Sequence, residues 1–299
     1  MDYRVRHRTT YRYLHDVSFS QHVLHLEPRA TAFQSVAEAA VKVSPAPAMR
    51  TRREDAFGNM AEWLTLDEPH DTFEIVAESH VGVRAPPRRD PAGALSWEAV
   101  RQRLAAASLP GAKDGEALQA TGFLFDTAYT AFTVDLAAYA EPCFPAGGSF
   151  LAGAIALMHR IHGDFRYDTT VTDVATPVDR VFEIRAGVCQ DLAHVTIACL
   201  HALGLPARYV SGYLMTRPPP GKPKLLGADA SHAWVAVWSP PFGWVDLDPT
   251  NDLLPSDGHV TLAWGRDYGD VAPINGVVVG GGDHAIEVGV DAVPESRAS

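Results

Sequence analysis

The sequence predicts an α+β protein in which a small antiparallel β-sandwich precedes a helix-then-sheet domain. Three observations carry this expectation. Apolar and charged residues alternate with period two from Tyr3 to about Val83, a Pro-, Gly- and charge-rich break follows at 85–94, and beyond it helical periods give way to three short strands. At 299 residues the chain exceeds the roughly 250 at which a single core stops growing. The organisation expected is an N-terminal β-sandwich domain over 1–90, a helical linker region over 91–148 and a catalytic core over 149–299 that ends in a strand extension.

The first segment, YRVRHRTTYRY, puts Tyr3, Val5, His7, Thr9 and Tyr11 on one face and Arg4, Arg6, Arg8 and Arg12 on the other, as a half-buried strand requires. AAVKVSP, EWLTL and FEIVAESHVGV repeat the alternation. EPRA, SPAPA and DAFGN, with Gly58-Asn59 as the clearest turn, separate these strands. Arg50, Arg52 and Arg53 add to a basic bias in this region, which offers a surface to an acidic ligand. Charges alternating along strands read first as a solvated face.

After the break, WEAVRQRLAAA, ALQATGFLFDTAYTAF and GSFLAGAIALMHRIHGDF read as helices. RAGVCQDLAHVTIACLHALGL is a helix that starts near Gly187-Val188 and closes at Gly204, and ARYVSGYL, HAWVAVW and GWVDLDP follow as strands. The tail from Gly265, with VVVGGG and AIEVGVDAVPE, reads as a turn-rich hairpin or a returning strand.

Composition narrows the function. A net charge of −11, from 36 acidic and 25 basic residues, disfavours nucleic acid or an anionic membrane as partner. No apolar run nears the roughly 18 residues of a membrane span, and the N-terminus lacks a secretory pattern. Three cysteines at no framework spacing fit a reducing compartment. The expectation is a cytoplasmic protein.

Cys189 falls in the first turn of a predicted helix, where free backbone N–H groups and the positive end of the dipole favour an anion. The same groups suit a tetrahedral oxyanion. Cys199, mid-helix among apolar residues, reads as packing, and Cys143 beside Pro142 as incidental. His194 lies five residues past Cys189 and points about 140° away around the helix, so it reads as packing behind the site. His232 opens HAWVAVW and is the better base. GWVDLDPT offers Asp246 and Asp248, two apart, either of which can orient an imidazole. Spacing alone does not choose between them.

The ordered set GVCQDLAHVTIACLHALGLPARYVSGYL, SHAWVAVW and GWVDLDPT resembles the core of transglutaminase-like enzymes, a papain-like fold, over about 150–260. The N-terminal strands with DAFGN, and the tail GRDYGDVAPINGVVVGG, are similar to those of bacterial members. The resemblance implies a catalytic triad of Cys189, His232 and Asp248, and so selects Asp248. It also suggests Tyr167 near the site as an oxyanion aid, with Gln190 and Asp191 as possible accessory groups beside the nucleophile.

The activity it implies is a cysteine-dependent hydrolase acting on peptide or amide bonds through a thioester. Transfer to an amine acceptor, as in a transglutaminase, shares the first half-reaction. Acyl transfer from an acyl-CoA and a non-catalytic binding module are the other readings. No cofactor or metal is expected: Cys189, His194 and Cys199 spread over about 15 Å of one helix, and VVVGGG is followed by no helix to cradle a phosphate. The PPPGKPK segment at 218–224 is a candidate lid. Nothing in the sequence sets the oligomeric state.

Overall fold

The computed structural model describes residues 1–215 and 230–295, so the candidate lid at 218–224 lies outside the described residues. The alternating region forms β1 (Asp2–Leu24), β2 (Gln34–Ser44), β3 (Met49–Glu54), β4 (Met60–Leu66) and β5 (His70–Val83). Helices α1 (Trp97–Ala107), α2 (Gly115–Thr121), α3 (Val134–Ala140) and α4 (Phe150–Asp164) follow. A short β6 (Arg166–Tyr167), α5 (Val178–Ile184) and β7 (Ala186–Gly187) lead into α6 (Cys189–Ala202). The chain then forms β8 (Ala207–Leu214), β9 (Ala230–Trp238), β10 (Trp244–Leu247), β11 (His259–Gly265), α7 (Tyr268–Val271), β12 (Ile274–Gly280) and β13 (His284–Glu295). The fold class is α+β, as the periodicities require.

In β1 the buried residues Tyr3, Val5, His7 and Thr9 alternate with exposed Arg4, Arg6 and Arg8. Those arginines meet carboxylates on both neighbouring strands: Arg4 pairs with Glu295, Arg6 with Glu78 and Arg8 with Glu74. The N-terminal basic bias is therefore matched across the sheet by solvated pairs, which solvent screens.

β1 is long enough to serve two halves of one curled antiparallel sheet. Its first half lies between β5 and β13, Ser20–Leu24 lie between β4 and β12, and Val17 pairs with Gly280 of β12 and His70 of β5. The register with β5 shifts between Arg12 and Val17, where β1 runs three residues longer than its partner, and such an irregularity bends the strand. The sheet thereby closes around Leu24, Leu64, Leu66, Phe73 and Ile75. The tail hairpin joins this sheet. Gly280, Gly281 and Gly282 make its turn at φ +96°, +81° and +66°, a backbone region costly for side chains with a Cβ.

In the second half of the chain, α6 is buried from Asp191 to His201. A helix apolar on all sides belongs inside a core, and α6 packs between α3, α4 and α5 on one side and β8 and β9 on the other. The sheet order is β10-β9-β8-β11. The predicted helix over ALQATGFLFDTAYTAF stops at Thr121, because Gly122 caps it and the Thr127 and Thr130 hydroxyls hold a turn instead.

The two β regions are joined at β11, the edge strand of the second sheet. The Gln34 amide donates to Thr261 O (2.7 Å) and accepts from Thr261 N (2.8 Å). The Asn59 amide does the same with Trp264 O and Trp264 N, both at 2.9 Å. Two side-chain amides thus satisfy edge groups that a further strand would otherwise pair. DAFGN exists to present one of them: Asp55 accepts from the Phe57, Asn59 N–H and Asn59 amide groups, and Gly58 turns at φ +71°. Among the described residues no helix is long and apolar enough to cross a membrane.

Candidate active site

The start of α6 is fixed by an acid three residues into it. Asp191, buried at 2% exposure, turns back to accept from Val188 N (2.8 Å) and from the Thr172 hydroxyl (2.7 Å). Gly187 makes room for this, since a Cβ there would stand 2.5 Å from Asp191 Oδ2. Burial raises the Asp191 pKa, and these two hydrogen bonds oppose that rise. Cys189 is the first residue of the helix and is partly exposed. The first-turn N–H groups have no intrahelical acceptor, so the sulfur sits beside a source of free donors.

His232 lies on β9 opposite Gly212 of β8, with its ring stacked on Trp234 at 6.0 Å. A Cβ at Gly212 would meet Val260 O at 2.1 Å and the Trp234 ring at 2.5 Å, so glycine there permits the close approach of β11 and the indole. The His232 Nε2 is 2.8 Å from Asp248 Oδ2. This leaves Nδ1 as the nitrogen available to Cys189. Burial alone would lower the His232 pKa, but hydrogen bonds with Asp248 and Cys189, and the charges of both, outweigh it and raise the value to about 9.

Asp248 is fully buried one residue beyond β10. Its Oδ1 accepts from Thr250 N (3.0 Å) and Asn251 N (3.2 Å). Its Oδ2 accepts from His232, from the Asn251 amide (2.8 Å) and from His259 Nε2 (3.1 Å). Burial works against the charge, yet these donors hold the carboxyl well below its ordinary range. Asp246, the alternative that spacing left open, lies on β10 opposite Ala236 of β9. Among the described residues no hydrogen bond or ion pair links it to His232.

The structure therefore brings Cys189, His232 and Asp248 together. Tyr167 is 55% exposed and pairs with Gly187 across β6 and β7, which lays it beside Cys189; burial and the charge of Cys189 raise its pKa. Gln190 donates to Val174 O at 3.2 Å. His194 accepts from Tyr268 N (3.2 Å) between the rings of Tyr129 and Tyr209, and burial lowers its pKa to about 3. Cys199 is fully buried, and burial pushes its thiol far up. Cys143 is half-buried with a pKa raised by burial.

Three neighbours escaped the sequence reading. Asn251 and His259 complete the shell of Asp248, and Tyr209 lies close enough to Cys189 to feel its charge after the larger effect of burial. Asn251 was findable, as the last residue of DPTN. His259 carries no local signal, because its partner lies eleven residues earlier, past the end of β10.

His232, Asp248 and His259 also present donor atoms within 4.8 Å of one another, a set of the kind that binds metals. Both Nε2 atoms, however, point at the same carboxylate oxygen at hydrogen-bond distances. The donors are satisfied by one another, and the set is a hydrogen-bonded network.

Comparison with known proteins adds two family matches: a bacterial transglutaminase-like N-terminal region over residues 3–82 and a transglutaminase-like superfamily core over 139–249. An uncharacterized protein of Mycobacterium tuberculosis is 40% identical over 98% of this chain and 92% of its own. A protein-glutamine gamma-glutamyltransferase of Pseudomonas aeruginosa is 38% identical over 106 residues, 33% of this chain and 16% of that one. The crystal structure of a putative cysteine protease from Cytophaga hutchinsonii superposes with a TM-score of 0.72 at 23% identity, over 98% of this chain and 90% of that one. The last likeness is one of fold.

Proposed function

The chain belongs to the transglutaminase-like superfamily and carries its bacterial N-terminal region, and from that premise we propose that it is a cysteine-dependent hydrolase of peptide or amide bonds. The observation that carries the reading is the His232 ring held by Asp248 through Nε2, with Cys189 as its other partner. An imidazolium beside the sulfur at neutral pH favours the thiolate, the form that attacks.

The Cys189 sulfur bonds to the carbonyl carbon, and the oxyanion is received by first-turn N–H groups of α6. The C–N bond breaks, and the leaving amine takes a proton from His232 Nδ1. Water then gives its proton to His232 and its oxygen to the thioester carbon, and the C–S bond breaks to restore the thiolate–imidazolium pair. Asp248 keeps the ring oriented and stabilises its charge throughout. Tyr167, half out in solvent beside Cys189, borders the same space.

A second reading replaces water by a primary amine. The similarity to the Pseudomonas aeruginosa glutamyltransferase favours it over the shared stretch. The two separate in one experiment: a library of amidated and glutamine-containing peptides is incubated with and without a fluorescent primary amine, using wild type and Cys189→Ser. Cleaved peptide or free carboxylate as the product, lost in the variant, supports hydrolysis. Amine incorporated in preference to water moves the reading to transfer, and turnover unchanged in Cys189→Ser removes both.

A further inference from the structure

A cavity of about 610 Å³ is walled in part by His259, and neither Cys189, His232 nor Asp248 lines it. Its walls come from the strand-connecting loop at 31–34, the segment 83–91, α4 and the outer faces of β8, β10 and β11. Volumes of roughly 300–1,000 Å³ are those of small-molecule sites. The cavity also lies where the two β regions meet, a common place for a binding site.

Its charge is opposite to that of the protein. In a chain of net charge −11, the lining includes Arg84, Arg88, Arg89 and Arg208 against one acid, Asp246. Arg208 is the unusual one. It is 7% exposed, and its guanidinium carbon lies 3.7 Å from the centre of the Trp264 ring and 4.2 Å from that of Trp244. Its Nε has no hydrogen-bond partner, and among the described residues no hydrogen bond or ion pair engages the group.

A guanidinium stacked between indoles presents its N–H groups at the edges, which is the geometry that receives a carboxylate in two parallel bonds. Burial pulls its pKa down to about 9, against the opposing charge of Asp246. A buried cation so weakly compensated is costly to the protein alone. Val210, Leu151, Ile155 and Leu254 supply apolar wall for the rest of a ligand.

We infer that this cavity binds a small carboxylic acid, its carboxylate on Arg208 and its apolar body against α4 and Leu254. The site also adjoins the proposed catalytic network: His259 is a wall residue, gives Nε2 to Asp248 and has an Nδ1 without a partner. This inference does not depend on the hydrolase reading, since its test measures binding alone.

The test is calorimetric titration of the full chain with hexanoate and 4-phenylbutyrate, their primary amides and the corresponding alkyl phosphates. The acids are expected to bind at least about 10-fold more tightly than the amides, the value of a charge-assisted bidentate contact. Arg208→Gln is expected to abolish this preference. Leu254→Glu, at a half-exposed wall position where folding is not at risk, is expected to weaken the acids and spare the amides. Equal binding of acid and amide, no binding of either acid, tighter binding of the phosphates, or a preference that survives both substitutions would each overturn the inference.

Discussion

Replacing Asp248 by Asn keeps the shape of the side chain and removes its charge, and so isolates what the carboxylate does for His232. In the native protein the His232 pKa stands at about 9 although burial alone would lower it, and Asp248 is the stronger of the two groups that raise it. The rise above the ordinary 6.5 is about 2.5 units, roughly 3 kcal/mol at 1.36 kcal/mol per unit. Without the carboxylate only Cys189 is left to oppose burial, and the pKa of the ring falls. The imidazolium fraction at pH 7.5, nearly complete in the native protein, falls with it. Iodoacetamide labelling of Cys189, followed by mass spectrometry from pH 5 to 10, reads this directly. In Asp248→Asn the labelling below pH 8 should fall about 10-fold or more while the fold, followed by circular dichroism, persists. Labelling profiles that superimpose would refute the coupling.

Stability should follow the same groups. The stabilisation from the raised His232 pKa is complete below 6.5 and is lost as pH climbs through about 9. That from the depressed Asp248 pKa is present above the ordinary carboxylate value and is lost as pH falls below it. The difference in unfolding free energy between wild type and Asp248→Asn, measured in urea, should therefore be largest between about pH 5 and 6.5 and shrink on both sides. Gly187→Ala forces a Cβ against Asp191 and should cost about 1–3 kcal/mol in urea unfolding through the lost Val188 and Thr172 bonds. Asn59→Ala strips two partners from the β11 backbone and should cost a similar amount, about 1–3 kcal/mol. Cys199→Ala should leave the labelling of Cys189 unchanged.

Local patterns in the chain foretold local structure well. The start of α6 was legible because Gly187, Val188 and Asp191 each have a role within one turn of Cys189. The alternation of β1 was legible because one face is buried along its first half. Asp246 and Asp248 were inseparable by spacing, since strand periodicity puts both on one face. What separates them is the end of β10 after Leu247, where the chain turns and the Asp248 carboxylate gathers Thr250, Asn251 and two histidines.

Long-range pairing was not legible. The tail gave a hairpin from its own glycines, but its place beside β1 depends on a register set more than 250 residues away. The same holds for Gln34 and Asn59, whose amides look like turn residues until β11 is seen to lack a neighbour. The cavity around Arg208 is built from segments of both β regions, so no single stretch of sequence carries its signature.

The most direct test of the central claim is to trap the acyl-enzyme. Wild type, Cys189→Ala and His232→Ala are mixed with activated esters of short peptides, quenched in acid within seconds and read by intact and peptide-level mass spectrometry. The account predicts one acyl adduct on Cys189 in wild type, none in Cys189→Ala and slow, pH-shifted formation in His232→Ala. An adduct on Cys143 or Cys199 in its place, or peptide turnover that continues in Cys189→Ala, would contradict it.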